Sequence, residues 1–285
     1  MGYPMAQQLL KAGHEVALWT HSAPKARELA KEGQGTACAT PKEVAQRADY
    51  IFYCVGNSTM AKTVATGADG LLAGIRPGSI TADCSTISPA VSREIHDAFS
   101  TKAAHFLDAP CTGSKAGAEG AKLTFMIGGD KTAFDRMTPY FEIMGKRLYH
   151  CGGAGMGLHA KLTQNLVLGN LMLAFAEGMV LAVKSGVPPE LMLDILDNSA
   201  AKSGLVSAKA PAILARNFTT NFSTKWLHKD MGLALDSAKA MGLPLPLTAI
   251  TEQMLQAAIA KGWGDDDICS TIRLLEEWAG VEVKK

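Results

Sequence analysis

The chain has 285 residues, 47% of them hydrophobic, which is enough for one large domain or two smaller ones with a sizeable core. Lysine and arginine total 28 against 27 acidic residues, so the formal charge of +1 supplies no global basic field for nucleic acid. Cys38, Cys54, Cys84, Cys111, Cys151 and Cys269 are scattered without CxxC or zinc-ligand spacing, which excludes a disulfide scaffold and predicts reduced thiols in a cytoplasmic compartment.

The N-terminus does not read as a secretory signal. Pro4 to Ala12 has a helical pattern and stops at Gly13, a C-cap signal. Glu15 to Trp19 reads as a strand. Ser22 is placed to cap a helix running to Glu32, with Gly33 closing it. Thr40-Pro41-Lys42-Glu43 is a capping box with proline at the first helical position. Tyr50 to Val55 and Ile80 to Ala82 are strands, and Ser88-Pro89 starts another helix. His105-Phe106-Leu107 is a strand, followed by a sharp turn at Pro110. Leu123 to Ile127 is a further strand, Asp130 caps a helix ending near Gly145, and Leu148 to His150 is a last strand. Strands alternating with helices predict a parallel sheet covered on both faces.

The pattern then changes. After Cys151 no strand pattern recurs, and the glycine cluster from Gly152 to Gly157 marks the domain boundary. A long helix is expected from Leu158 to Ser185, roughly 40 Å at the helical rise. Its stretch from Leu166 to Val183 approaches a membrane span in length, but Asn170 and Glu177, with Gly169 and Gly178, favour a buried soluble helix. Pro188 to Asn198, Phe222 to Met241, Leu247 to Lys261 and Asp266 to Ala279 also read as helices. The expected fold is an α/β Rossmann-type domain over residues 1–153, followed by an all-α domain over residues 154–285 that opens with the long helix. Several apolar faces in the helical domain predict a homodimer or homotetramer. No membrane or nucleic-acid partner is expected.

A dinucleotide-binding α/β domain opens with a strand and a Gly-x-Gly-x-x-Gly turn. Met1-Gly2-Tyr3-Pro4 is already at the helix, with Gly2 where the third glycine belongs. The order is that of a βαβ unit short of its first strand. It points to a start codon assigned too far downstream or a shortened chain, and upstream coding sequence without a glycine-rich strand would refute this. At the end of the second strand of such a unit, an acid holds the ribose hydroxyls of NAD, whereas small polar or cationic residues accept the phosphate of NADP. Thr20-His21-Ser22, with Lys25 and Arg27 close behind, contains no acid and favours NADP, with NAD as the second choice.

Asp108 to Leu123 carries Thr112, Gly113 and Ser114 in a glycine-rich stretch at the end of a strand. Taken alone it is also a surface turn. A hydroxyl beside bare amides suits a small carboxylate. Lys161 and Asn165 lie four apart, on one face of the long helix. A lysine partly desolvated there has a lowered pKa and can act as acid or base, although an isolated lysine is more often solvated. Lys229-Asp230 supplies a second cation beside an acid, or simply a surface pair. Ser85 or Thr86 could touch a cofactor ring. Asp265-Asp266-Asp267 read as helix caps rather than metal ligands. His21, His159 and His228 have no nucleophile partner, and there is no Gly-x-Ser-x-Gly elbow.

Together these pieces resemble the β-hydroxyacid dehydrogenase family, which includes 3-hydroxyisobutyrate dehydrogenases, tartronate semialdehyde reductases and glyoxylate or succinic semialdehyde reductases. The motifs are Gly2-x-Pro4-Met5-Ala6, Asp83-x-Ser85-Thr86-x-x-Pro89, Asp108-Ala109-Pro110-x-x-Gly113, Gly155-x-Gly157-x-x-x-Lys161-x-x-x-Asn165, Lys229-Asp230 and Gly264-Asp265. The resemblance implies that Lys161 is catalytic and Asn165 positions substrate. It implies that Thr112, Gly113, Ser114 and Lys229 contact substrate. Gly2, Pro4, Thr20, His21, Ser22, Val55, Thr86, Lys229 and Asp230 would lie on the cofactor. The implied reaction interconverts a small β-hydroxyacid and its semialdehyde, or reduces a small carboxylate-bearing aldehyde or keto acid. Cys111-Thr112 stands where the family usually has Val-Ser, and Gln164 where it often has Asn. The alternatives are an imine reductase, which generally lacks the lysine, and a non-catalytic NADP-binding oligomerisation module.

Overall fold

The structure is a computed structural model describing residues 1–285, which fold as two compact units, Met1–Lys161 and Leu162–Lys285.

The first unit begins with helix α1 (Gly2–Lys11), strand β1 (Val16–Leu18), helix α2 (Ala23–Leu29), strand β2 (Gly35–Ala37) and helix α3 (Pro41–Arg47). Strand β3 (Tyr50–Tyr53), helix α4 (Ser58–Thr66), strand β4 (Ile80–Asp83), helix α5 (Pro89–Ser100) and strand β5 (His105–Asp108) follow. The unit ends with β6 (Cys111–Thr112), α6 (Ser114–Glu119), β7 (Leu123–Gly128), α7 (Lys131–Met144) and β8 (Gly145–Gly152).

Local chemistry explains the boundaries. Asn57 caps α4 by accepting from Met60 N at 2.9 Å, and Asp130 caps α7 by accepting from Ala133 N at 2.8 Å. Thr40 Oγ1 accepts from Glu43 N at 3.2 Å, while the Glu43 carboxylate reaches one residue further back, to Ala39 N at 2.8 Å. The expected helix to Glu32 instead ends at Leu29, and one 3₁₀ turn, Ala30–Glu32, continues to Gly33. Ser22 sits at the start of α2 without a side-chain capping bond.

The sheet is mixed rather than wholly parallel. β3, β4 and β5 run parallel in the order β3-β4-β5, and β8 runs parallel to β7. β7 is antiparallel to both β5 and β6. The reversal arises because the chain after β5 returns through the short β6 and α6 instead of a full crossover helix. β1 and β2 form a separate parallel pair, unbonded to β3. Phe106, Leu107, Phe125, Ile127, Met137 and Phe141 fill the space between sheet and helices, each at most 2% exposed.

Helix α8 (Met156–Lys184) crosses the division between the units at Lys161/Leu162. The second unit continues with α9 (Pro189–Asp197), α10 (Gly204–Leu214), α11 (Thr224–Ala240), α12 (Pro246–Ala260), a 3₁₀ turn (Ile268–Thr271) and α13 (Ile272–Ala279). By length and composition α8 could cross a membrane. Yet Met172, Ala176 and Met179 lie in the core of the second unit with Leu227, Met231 and Leu255, so it is the core helix of that unit. Asn170 fixes its register, donating to Thr248 Oγ1 at 3.3 Å and accepting from Thr251 Oγ1 at 2.7 Å.

Candidate active site

In parallel α/β sheets the chemistry gathers beyond the carboxyl ends of the strands. β3 ends at Tyr53, β4 at Asp83 and β5 at Asp108, and two buried acids therefore stand side by side, Asp83 paired in register with Asp108. Each is 1% exposed.

Asp83 organises the turn after β4. Its Oδ1 accepts from Ser85 N at 2.8 Å, and Ser85 Oγ accepts from Val55 N at 2.8 Å. The turns carrying Val55 and Thr86 are thereby tied together. Gly2, at the start of α1, lies against the same corner: a Cβ there would stand 3.6 Å from Cys54 Cβ. Burial pushes the Asp83 carboxyl up to about 6, against the hydrogen bonds from Ser85. Pro4 is buried in the first turn of α1.

Asp108 organises the start of α8. Its Oδ1 accepts from Gly155 N at 2.6 Å and its Oδ2 from Leu158 N at 2.8 Å. Burial pushes this carboxyl up to about 6 as well, despite those donors. Close backbone packing here requires glycine. A Cβ on Gly157 would stand 2.7 Å from Asp108 O and 2.8 Å from Gly128 N, closer than real contacts allow.

Beyond Asp108 the chain is more ordered than a glycine-rich loop. Cys111 and Thr112 pair with Phe125 and Thr124, and Ser114 opens α6, leaving Gly113 as the only link between strand and helix. Gly113 has φ 132°, accessible to glycine, and Ser114 has φ 57°, uncommon for a side-chain-bearing residue. Lys161 is 7% exposed, and its charge reaches Cys111 beside Thr112. Burial pushes the Cys111 thiol up to about 12 against that positive field.

In the second unit Asn165, 1% exposed, donates from Nδ2 to Asp230 Oδ2 at 2.6 Å. Asp230 Oδ1 in turn pairs with Lys229 Nζ at 3.1 Å, and Lys229 lies over the Trp226 ring, 5.5 Å from its centroid. Lys229-Asp230 is thus a buried-edge pair tied to Asn165, not a solvated surface couple. His228 Nε2 lies 2.7 Å from a carboxylate oxygen of Glu252.

Thr20, His21 and Ser22 follow β1, with Lys25 and Arg27 exposed on α2. The Ser22 hydroxyl makes no bond to its own helix end. The first turn of α1 contains no acid and has no side-chain cap, so no carboxylate of its own opposes its positive end. These features fit a phosphate-bearing dinucleotide. No group of three or more His, Cys, Asp and Glu side chains is placed to hold a metal ion. Asp267 caps the 3₁₀ turn, accepting from Cys269 N at 3.2 Å.

Sequence reasoning placed the motif around Asp108 but gave that carboxylate no task, and it gave Asp83 none. The available signal was an acid closing each of two apolar strands, Ile-Thr-Ala-Asp and His-Phe-Leu-Asp.

Comparison with known proteins agrees with this arrangement. Residues 1–153 match the family described as the NAD binding domain of 6-phosphogluconate dehydrogenase, and residues 155–275 that described as NAD-binding of NADP-dependent 3-hydroxyisobutyrate dehydrogenase. The chain is 35% identical to the 2-(hydroxymethyl)glutarate dehydrogenase of Eubacterium barkeri, over 99% of this chain and 94% of that protein. It is 34% identical to the mitochondrial 3-hydroxyisobutyrate dehydrogenase of Mus musculus, over 97% and 84% of the two. A solved structure of the Mycobacterium tuberculosis 3-hydroxyisobutyrate dehydrogenase with L-serine superposes with a TM-score of 0.90 at 31% identity, covering 96% of this chain and 95% of that one. Both domains carry the family's signature along nearly the whole sequence, and the chain belongs to the β-hydroxyacid dehydrogenase family of NAD(P)-binding oxidoreductases.

Proposed function

We propose that this protein is an NADP-dependent oxidoreductase that interconverts a small β-hydroxyacid and its semialdehyde, with Lys161 as general acid and base. The observation that carries the reading is Lys161, only 7% exposed, near the start of α8, whose first backbone N–H groups are held by Asp108. Residues 1–153 serve as the dinucleotide-binding domain and residues 154–285 as the helical substrate and oligomerisation domain.

When bound, the nicotinamide dinucleotide supplies or accepts the hydride. Thr112, Gly113 and Ser114 hold the substrate carboxylate through a hydroxyl and backbone N–H groups. Lys161 protonates the forming alkoxide oxygen, or takes the hydroxyl proton in the oxidative direction. Asn165 orients substrate, itself oriented by Asp230. Lys229 is assigned to substrate and cofactor by the family resemblance. Gly2 and the N-terminal end of α1, with Val55 and Thr86, face the dinucleotide. Thr20, His21 and Ser22 accept the 2′-phosphate, since no acid stands there to repel it. Retention of Lys161 separates this reading from an imine reductase.

The test is a fluorescence titration with NADPH and with NADH, followed by turnover of two- to four-carbon semialdehydes and hydroxyacids. Tighter NADPH binding and reduction of at least one semialdehyde are expected. Tighter NADH binding would overturn the NADP assignment. NADPH binding with no substrate turned over would make the protein a non-catalytic module.

A second copy of the chain is the proposed partner. Val167 and Leu181 on α8 are 58% and 68% exposed, and Trp278 on α13 is 67% exposed. Leu181 and Trp278, but not Val167, line one surface groove, with Glu177 and Lys184 beside Leu181. An isologous contact through this face would bury Leu181 and Trp278 of both copies. Leu181→Glu is expected to shift the mass measured by light scattering to that of a monomer. A monomeric native protein would remove the proposal.

A further inference from the structure

Asp108 spends both carboxylate oxygens on the backbone of a segment 47 and 50 residues away, at the entry to the helix that bears Lys161. Leu158, whose N–H it accepts, lies one turn before Lys161. The same strand that ends in Asp108 continues through Pro110 into Cys111 and Thr112. A single buried side chain therefore joins the segment assigned to the substrate carboxylate to the helix assigned to proton transfer.

The surrounding packing leaves the joint no slack. A Cβ on Gly128 would stand 2.6 Å from Asp108 Oδ1 and 2.7 Å from Gly157 N. A Cβ on Gly157 would meet the backbone of Asp108 and of Met126. Strands β5 and β7 and the first turn of α8 meet backbone to backbone. Leu158 itself is 1% exposed, packed in the apolar cluster with Ile87, Ile95 and Phe106. A carboxylate at a helix start also opposes the positive end of the helix, which holds its first N–H groups in place.

We propose that Asp108 is a positioning residue for Lys161, fixing the lysine's place relative to Thr112 by anchoring the first turn of α8. The proposal rests on the reading of Lys161 as the proton donor, and its test separates the two. Asp108 is 1% exposed and both its carboxylate oxygens are taken up by the Gly155 and Leu158 N–H groups, so its loss acts on the placement of the amine. Displacements of about an ångström at a reacting group can cost about 100-fold in rate.

The experiment compares Asp108→Asn, Asp108→Ala, Lys161→Ala and the double variant Asp108→Asn/Lys161→Ala. Glyoxylate and succinic semialdehyde are the probes with NADPH, and amide hydrogen exchange is followed over residues 155–161. Asp108→Asn keeps the shape and one acceptor, so it remains informative if Asp108→Ala fails to fold. Expected for Asp108→Asn is a kcat about 10- to 100-fold lower, with the substrate KM within about two-fold and faster exchange over the first turn of α8. In the Lys161→Ala background the same change is expected to leave the residual turnover within about two-fold, because there is no amine left to misplace. An undiminished kcat, unaltered exchange, or an equal further loss in the double variant overturns the proposal. If Lys161→Ala alone keeps native turnover, the functional reading fails, and the exchange measurement still reports whether Asp108 anchors the helix.

Discussion

Lys161→Met is expected to lower kcat for semialdehyde reduction by about 100- to 10,000-fold, the contribution typical of a positioned general acid. Methionine keeps the unbranched stem, so the 7% exposed site is filled and only the ammonium is lost. NADPH affinity, read by fluorescence, should stay near native, since the dinucleotide assignment rests on other residues. Substrate KM should change less than kcat, because Thr112 and Gly113 retain the carboxylate. Removal of the ammonium also relieves the field that opposes the high Cys111 thiol pKa, so that thiol should become still less reactive toward alkylating reagents. Stopped-flow reduction at saturating NADPH checks the chemical step directly. A loss below about ten-fold would take Lys161 out of proton transfer.

Asp267→Ala is expected to destabilise the protein by about 3–5 kcal/mol, the range for stripping one partner from a buried ion pair. Asp267 is 2% exposed. Its carboxylate accepts from Lys209 Nζ at 2.7 and 2.8 Å, from Asn221 N at 3.0 Å, from Phe222 N at 3.1 Å and from Cys269 N at 3.2 Å. Alanine leaves three backbone donors and an ammonium without it in the interior of the second unit. The double variant Lys209→Met/Asp267→Ala should recover part of the loss, because no orphaned cation remains. Burial alone would raise the Asp267 carboxyl, but Lys209 and the Asn221 and Phe222 N–H groups outweigh it and hold it below its ordinary value. A lowered native value means that the stabilisation is present above the unfolded carboxylate range and disappears as pH falls through the native value. Urea unfolding of native and variant protein at neutral and acid pH measures both effects. Equal midpoints at neutral pH would show the network to be dispensable.

Much of the fold was legible because its cues are local. Thr40-Pro41, Asp130 and Ser88-Pro89 mark helix starts that the structure keeps. The long apolar helix needed only length and the glycine cluster before it. Elements whose cues are weak or non-local were not legible: β2 and β6 have three and two residues. Helix α10 begins with Gly204 and contains Pro211, both signals against a helix that packing of Val206, Ala210 and Ile213 overrides. The antiparallel turn of the sheet at β7 depends on which neighbour a strand chooses, which no short window of sequence encodes.

The candidate residues divide in the same way. Lys161 and Asn165 stood out as polar residues spaced along an otherwise apolar helix. Asp83 and Asp108 did not, because their meaning is in what they bind across 30 to 50 residues of chain, including the Ser85–Val55 link and the Asp108–Leu158 bond. The bond from Asn165 to Asp230 is of the same kind, since it joins residues 65 apart in the chain.

The ladder between β4 and β5 places Ile80 opposite His105 and Asp83 opposite Asp108. Side chains alternate between faces along a strand, so a slip of one residue would turn Leu107 or Ala109 into the position Asp108 holds. The backbone pairing of these two strands therefore works as a vernier. It sets the turn tied by Asp83 and the helix tied by Asp108 to a common zero, and a register error of 3.3 Å, about one residue of strand, would put both off scale together.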